Sequence, residues 1–392
     1  MPMKVIISGA GIAGLSLAHW LSRIGATPVV LERAPRFQPL GHYISLKGNG
    51  VEMVRRMGIF DACEARSAPL EEVRLYSAAS GRYLRSEHSA TLAKTLGGYI
   101  LLRRADLQSA LHDLTAEHAD IRFGIEILRT RPDANQVEVT LSDGTTEIGD
   151  LLVGADGIHS AVRGLAFGSG FERPLGGYYI AITQRVHHGL DPVVHTYLGT
   201  GRMVNLLPVS PDSVSAVVYL GADVDAPPRN DVLAMRDHLL ATCADFPDEV
   251  HNVLADLGTD DFVFADAIAQ IDLPRISQDR VALVGDAAHC PTFLSGMGTS
   301  LALQDTHILA GSLARSRDNV AEGLSRYEEV MAPIARRYRD SAASAHAALL
   351  TSSQVKARIR DLALRVIPDR VFERGMRRFY DSERPLANLP GP

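Results

Sequence analysis

Residues 4–33, KVIISGAGIAGLSLAHWLSRIGATPVVLER, constrain the fold more than any other stretch of the chain. An apolar run leads into three glycines, Gly9, Gly11 and Gly14, and an amphipathic helix follows, closed by Gly25 with Arg23 in its last turn. A second apolar run then ends at Glu32. This is a βαβ unit, whose crossover is right-handed in nearly all parallel sheets. The glycine spacing has a physical reason at each position. Gly9 makes the tight turn, Gly11 lets the backbone approach a pyrophosphate, and Gly14 lets helix and strand pack closely, with the phosphates resting on the helix N-terminus. A carboxylate at position 32 can accept hydrogen bonds from an adenosine ribose and disfavours a 2′-phosphate. The site therefore suits FAD or NAD better than NADP.

Along the rest of the chain the pattern changes three times. The segment 46–62 reads as a helix ending at MGIFD, EVRLYSAASGRYLR as a hairpin turning at Gly81, and LRRADLQSALHDLTAEH as a helix. RFGIEILRT and QVEVTLSDGTTEI read as strands. After Pro174 the runs GGYYIAITQRV, PVVHTYLG, RMVNLLPVS and SVSAVVYLG alternate between Gly, Pro and Asp boundaries, as a mostly antiparallel sheet does. Residues 230–257 look helical, 262–273 form a strand or two, 280–285 return to the parallel sheet, and nearly everything from 300 is helical. The expected architecture is α/β: a discontinuous nucleotide-binding domain over 1–171 and 279–325, an inserted sheet domain over 172–278 for substrate, and C-terminal helices over 326–392.

Two later motifs repeat the strand, turn and helix pattern. In LLVGADGIHSAVR, residues 151–163, Asp156 and Gly157 end a strand and Arg163 enters the following helix. In RVALVGDAAHCPTFLSGMGTSLALQD, residues 280–305, Asp286 at the strand end can hydrogen-bond a chain of sugar-like hydroxyls. The backbone N–H groups of Ser295-Gly296-Met297-Gly298-Thr299 can meet a flat ring at a helix N-terminus, where the dipole stabilises negative charge. The backbone at Gly298 is expected to approach that ring closely, with a φ that favours glycine.

The ordered set GxGxxG, GADG and strand-GDAAH-P-GMG resembles the class A flavoprotein monooxygenases, the FAD-dependent aromatic hydroxylases related to para-hydroxybenzoate hydroxylase, from about residue 3 to 340. The resemblance implies one non-covalently bound FAD, its ADP half on the first motif and its ribityl chain and ring on the last. That explains a nucleotide-like motif so late in the chain. It implies cofactor contacts from Gly9, Gly11, Ala13, Gly14, Glu32, Arg33, Arg104, Asp156, Asp286, Pro291, Gly296, Gly298 and Thr299, with Arg103 as the alternative to Arg104. NADH or NADPH would act as a transient co-substrate without a second dinucleotide fingerprint, and Asp156 would also support its use. O2 would react through a C4a-hydroperoxyflavin to oxygenate a small, aromatic or polyketide-like substrate. GHYISLKGNGVEMVRRMGIFD is similar to a stretch of the tetracycline-inactivating monooxygenases, but LSGMGTS departs from that branch's Gly-Gln-Gly pattern, which argues against tetracycline itself. A reductase of the geranylgeranyl reductase type is the alternative. A halogenase lacks support because the single tryptophan, Trp20, lies in the first helix.

Composition excludes several other classes. The balance of 40 Lys and Arg against 46 Asp and Glu, net −6, argues against nucleic-acid binding. Cys63, Cys243 and Cys290 are too few and too scattered for a disulfide framework or a CxxC metal site. There is no run of about 18 apolar residues and no signal-peptide pattern, so a cytoplasmic protein without membrane insertion is expected. His289 reads as structural, Cys290 as a packed thiol, and the arginines after 336 as a solvated helical face. His187 and His188, adjacent in a strand, point to opposite faces and cannot share a metal. In the first inserted strand Tyr179, Thr183 and Arg185 share one face, and Tyr178, Ile180 and Ile182 the other. One of these faces must cover the flavin pocket. No catalytic base and no metal ligand is assigned, and oligomeric state is left open.

Overall fold

A computed structural model describes residues 2–38, 41–68, 71–316 and 319–379 of the chain. It opens with β1 (Lys4–Ser8), α1 (Ile12–Arg23) and β2 (Thr27–Glu32), then β3 (Tyr43–Lys47), α2 (Gly48–Arg56) and α3 (Phe60–Glu64). The hairpin β4 (Glu72–Ser77) and β5 (Tyr83–His88) follows, with α4 (Ser89–Leu96), β6 (Tyr99–Arg103) and α5 (Arg104–Thr115) behind it. Next come β7 (Asp120–Phe123), β8 (Ile127–Pro132), β9 (Val137–Leu141), β10 (Thr146–Gly149), β11 (Leu151–Gly154) and α6 (Ala161–Phe167). The inserted region holds β12 (Glu172–Gln184), β13 (Val194–Leu198), β14 (Arg202–Ser210), β15 (Ser213–Leu220), α7 (Val232–Thr242), α8 (Asp248–Ala255) and β16 (Phe262–Ile271). The chain returns through β17 (Ser277–Gln278), β18 (Val281–Leu283), α9 (Asp286–His289) and a 3₁₀ turn at Phe293–Ser295. It finishes in α10 (Gly298–Ser316), α11 (Val320–Leu349), α12 (Gln354–Val366) and α13 (Asp369–Phe379).

Six strands form the nucleotide-type sheet in the order β17-β18-β11-β1-β2-β7, parallel except at β17. Its central strands are apolar without alternation because helices cover both faces: Val5, Ile6, Ile7, Leu151, Leu152, Val153 and Val281 are completely buried. Each such aliphatic side chain contributes about 1.5–3 kcal/mol by leaving water. The late return at 280–285, read from sequence, is β18 seated beside β11.

The second sheet has seven strands in the order β16-β12-β15-β14-β13-β4-β5. Its two faces differ in what covers them. Ile180, Ile182, Val204, Leu206 and Val218 pack with Met235, Leu239, Val250 and Leu254 of α7 and α8. The opposite face, called the front face below, carries Leu198, Met203, Tyr219, Tyr179 and Leu75, packed with Phe293, Leu294, Leu349, Leu350 and Leu364.

The helix expected over 46–62 is instead the end of β3 followed by two short helices. YISLK pairs with β6, Lys47 against Tyr99, and Gly58 at φ +78° breaks the helical run. RFGIEILRT likewise divides at Gly124, φ +73°, between β7 of the parallel sheet and β8 of a three-stranded sheet with β9 and β10. The hairpin β4–β5, in a segment expected to lie with the nucleotide domain, extends the inserted sheet through parallel pairing with β13. His187 and His188 lie beyond the end of β12, where His187 Nδ1 is 3.2 Å from Asp212 and His188 Nε2 is 2.7 Å from the Ser210 carbonyl. Residues 380–392 of the expected C-terminal segment lie outside the described residues.

Candidate active site

β2 and β11 leave β1 on opposite sides, so the carboxyl end of β1 is the point where the strand order reverses and a crevice opens. One cleft there is lined by Gly9, Gly11, Ala13, Glu32, Arg33, Arg104, Asp156, Asp286, Gly298 and Thr299, together with His159. Ten of the thirteen residues singled out from sequence thus face one space, although they come from six separate segments. Gly14, Pro291 and Gly296 do not line it.

The three glycines of the first turn do different work. Gly9 has φ +103°, and a Cβ there would meet the Ala155 carbonyl oxygen at 2.7 Å. A Cβ on Gly14 would lie 1.9 Å from the Gly9 carbonyl oxygen, so helix and strand touch through bare backbone. A Cβ on Gly11 would find only Arg104 Nη2, at 3.7 Å. Gly11 therefore has room within the protein, and a side chain there would project into the cleft at the N-terminus of α1. Glu32 accepts hydrogen bonds from the N–H groups of Ala10 and Ala34, both at 2.8 Å, which fixes its carboxylate at the cleft wall.

Arg104 opens α5, and its N–H donates to the His42 carbonyl at 3.0 Å. Gln108, one turn on, donates to the Ala10 carbonyl at 3.0 Å and ties α5 to the glycine turn. Arg103 points away and pairs with Asp106 at 2.7 Å. Burial weakens the hold of Arg104 on its proton, while Asp286, Tyr179 and Glu32 strengthen it.

Asp286, the first residue of α9, is exposed to the cleft, while Ala287, Ala288 and His289 behind it are buried. Desolvation by the protein around the cleft raises its pKa, against the opposing pull of the Cys290 thiol hydrogen bond and the Arg104 charge. Burial and the neighbouring Asp286 push the Cys290 thiol well up, so it stays protonated and packed. Asp156 borders the cleft and also caps α6: its carboxylate accepts from the Ser160 hydroxyl at 2.5 Å and from the Ala161 and Val162 N–H groups at 2.8 and 3.1 Å.

Left-handed backbone occurs at Gly296, φ +58°, and not at Gly298, which begins α10. The Gly296 carbonyl accepts from Lys47 Nζ at 2.9 Å, so β3 holds the turn from beneath. A Cβ on Gly298 would stand 3.5 Å from Asp286 Oδ1 and 3.8 Å from Pro291 Cδ, ordinary contact distances.

Several residues not assigned to the cofactor from sequence support the cleft, and His289 keeps the structural role read for it. Arg163, nearly fully buried, donates to the Ala287 carbonyl at 3.0 Å and the Ile158 carbonyl at 2.6 Å, joining the loops that carry Asp286 and Asp156. His159 Nε2 lies 2.8 Å from Asp266 Oδ2, and Arg229 pairs with the other oxygen at 3.3 Å, linking the cleft to β16. Beneath α9, His289 Nδ1 sits 3.1 Å from the Gly285 carbonyl and Nε2 3.1 Å from Asp305 Oδ2. Asp305 accepts from the Gly285 N–H and the Tyr327 hydroxyl, both at 2.6 Å. Burial lowers the histidine to about 3 and raises the aspartate to about 7, so His289 is a neutral structural group.

The sequence left open which face of β12 covers the turn at 292–298. Tyr179 does so, stacked on Phe293 with ring centroids 3.9 Å apart and planes within 5°. His42 meets Phe293 edge-on at 4.6 Å, and Tyr219 approaches it at 6.0 Å. Burial raises the Tyr179 and Tyr219 hydroxyls and lowers His42 to about 3, so this aromatic cluster is uncharged. Among the described residues no group of three His, Cys, Asp or Glu side chains could hold a metal ion.

The cleft has the donors and the free approach that FAD requires: open backbone at Gly11, a fixed carboxylate at Glu32, a cation at Arg104 and a carboxylate facing the cleft at Asp286. Comparison with known proteins agrees. The family described as the FAD binding domain matches residues 2–342. A FAD-dependent urate hydroxylase of Klebsiella pneumoniae is 31% identical over 334 residues, 83% of this chain and 85% of its own. A flavin-dependent monooxygenase of an unknown prokaryotic organism is 30% identical over 335 residues, 84% of this chain and 86% of its own. The crystal structure of Klebsiella pneumoniae HpxO complexed with FAD and uric acid superposes with a TM-score of 0.84 at 28% identity, covering 100% of this chain and 97% of that one. Tetracycline destructase Tet(55) shares the fold, with a TM-score of 0.80 at 24% identity over 100% of this chain and 99% of that one.

Proposed function

This chain belongs to the FAD-binding-domain family, as a flavin-dependent monooxygenase of the aromatic hydroxylase type, and from that premise we propose that it uses NADH or NADPH and O2 to oxygenate a small, planar, largely apolar aromatic or polyketide-like substrate. The observation that carries the substrate class is the uncharged aromatic wall of Tyr179, Tyr219, Phe293 and His42 where the front face meets the turn before α10. A planar ring bound beside this cluster would gain aromatic contact beyond the area it buries, about 0.5–1.5 kcal/mol per aromatic pair. Bound FAD would supply the redox chemistry by which a nicotinamide donor and O2 are used.

The chain's own residues hold and screen. Gly9 and Gly11 bring the N-terminus of α1 to the pyrophosphate, Glu32 takes the adenosine ribose, Arg104 offsets phosphate charge and Asp286 takes ribityl hydroxyls. Gly298 and Thr299 present the N-terminus of α10 to the ring, where the helix dipole favours added negative charge. Leu198, Met203, Leu294 and Leu350 keep water from the aromatic wall. Nothing in the matched family or these relatives favours the reductase alternative.

The test is a screen for compounds that stimulate NAD(P)H oxidation, followed by turnover under labelled O2. One labelled atom should enter the product and one should enter water. Product without label, or formed undiminished under anaerobic conditions, would overturn the proposal.

A further inference from the structure

We propose that α12 is a docking surface for an anionic lipid bilayer, lying in the plane of the membrane with its apolar stripe in the headgroup region. The sequence QVKARIRDLALRV has Val355, Ile359, Leu362 and Val366 at spacings of four, three and four, which at 3.6 residues per turn puts them on one face. All four are exposed: Val355 66%, Ile359 62%, Leu362 60% and Val366 62%. An aliphatic row this exposed is not the solvated charged face expected from the arginines of this region. The opposite side of the helix is occupied, since Ala357 is buried and Leu364 packs with the front-face cluster. Arg360 donates to the Leu349 and Gly199 carbonyls at 2.9 and 3.1 Å, which fixes the helix on the body and holds the stripe outward.

The occupant is chosen by the charges beside the stripe. The same helical geometry puts exposed Arg358 and Arg365 along one flank and exposed Lys356 along the other. The helix's one acid, Asp361, lies toward the body and is held by Arg360 at 2.9 Å. α13 follows with exposed Val371, Arg370 and Arg374, although the exposed acids Asp369 and Glu373 interrupt the cationic pattern there. The chain as a whole is net −6, so this cationic and apolar strip is a local exception. An apolar stripe bordered on both sides by cations fits an anionic bilayer, where the cations meet headgroups and the aliphatic side chains enter the acyl boundary. A second copy of the helix fits poorly. It would bring Arg358 and Arg365 against like charge, and the stripe offers on the order of 400 Å², about half of one side of a stable interface. No helix among the described residues is long and apolar enough to cross a membrane, so the contact is peripheral.

The experiment is flotation of the full-length, FAD-loaded protein with vesicles of phosphatidylcholine alone or of phosphatidylcholine with phosphatidylglycerol. The protein should float with the phosphatidylglycerol vesicles at low salt and stay behind with phosphatidylcholine. Ile359→Ser with Leu362→Ser should lower the bound fraction about tenfold or more, and Arg358→Glu with Arg365→Glu should abolish the preference for phosphatidylglycerol. FAD content should be unchanged in both variants, which separates lost docking from lost folding. Protein that fails to float with either vesicle, or floats equally well after both pairs are changed, would overturn the proposal. So would a concentration-dependent dimer in sedimentation velocity that Ile359→Ser with Leu362→Ser dissolves, because the stripe would then belong to a second copy.

Discussion

Two substitutions in one turn should fail in opposite ways. A Cβ on Gly14 would lie 1.9 Å from the Gly9 carbonyl oxygen, more than 1 Å inside contact, and neither atom can step aside because one is backbone of α1 and the other backbone of the β1 turn. Gly14→Ala must therefore push α1 off the sheet. Overpacking of this kind costs about 3 kcal/mol, with a fall in apoprotein Tm on the order of 4 °C for a chain of this length. Gly11 is the reverse case. Its φ of −75° suits any residue, and the nearest atom to its Cβ position is Arg104 Nη2 at 3.7 Å, so Gly11→Val should shift apoprotein stability by no more than about 0.5 kcal/mol. The valine would nevertheless stand where the pyrophosphate must approach. Losing about 3 kcal/mol of binding there weakens FAD more than a hundredfold. Both apoproteins should be stripped of flavin before melting, because bound FAD stabilises by mass action and would confuse the two effects. Differential scanning fluorimetry then reads stability, and titration of flavin fluorescence reads affinity. Wild-type FAD affinity in Gly11→Val would refute the placement of the cofactor. An apo Tm for Gly11→Val as low as that of Gly14→Ala would refute the division of roles.

Three further outcomes are expected. Gly298→Val, with its Cβ 3.5 Å from Asp286 Oδ1, should retain FAD at saturating concentration while slowing flavin reduction about a hundredfold and raising H2O2 per NAD(P)H consumed; stopped-flow absorbance and a peroxide assay check this, and wild-type coupling would count against the turn facing the ring. Arg163→Met removes hydrogen bonds to the Ile158 and Ala287 carbonyls and should cost about 3 kcal/mol of stability together with FAD affinity, read by urea unfolding and flavin titration. Asp305, held protonated up to about pH 7 by burial, favours the folded state below the unfolded carboxylate range, and this contribution is lost as pH rises toward 7. Asp305→Asn should therefore gain on the wild type between pH 4 and 7, by at most about 1.4 kcal/mol per pH unit in urea unfolding, and a pH-independent difference would contradict the buried neutral acid.

The cleft was legible in the sequence because each of its walls is a local device. Gly9, Gly11 and Glu32 follow from the chemistry of one βαβ unit, and Asp286 from the end of one strand. The choice between Arg103 and Arg104 depended on which residue of the strand-to-helix junction turns inward, and Asp106 draws Arg103 outward. The aromatic wall was not legible. Alternation sorts Tyr179 from Tyr178, but which face meets the turn is decided by α7 and α8 covering the Ile180 side. Phe293 lay within the quoted motif, yet its partner Tyr179 comes from another sheet, and no spacing links them. The strand YISLK went unread, its last two residues, Leu46 and Lys47, taken into the helix expected over 46–62, and the destination of the β4–β5 hairpin rests on its pairing with β13.

The strand order β18-β11-β1 also sets when the chain can first hold its cofactor. Val5 pairs with Leu151 and Leu152 with Val281, so neighbours in the sheet are separated by whole domains of chain. During synthesis the glycine turn emerges first, but Asp286 and the start of α10 arrive only after the inserted sheet has been made. Contacts of such long range are slow to form, because the closure entropy of the intervening loops is spent before the pairing repays it. A nascent chain thus carries a half-built nucleotide turn through most of its translation, and FAD capture is a late event that reports completed assembly rather than one that guides it.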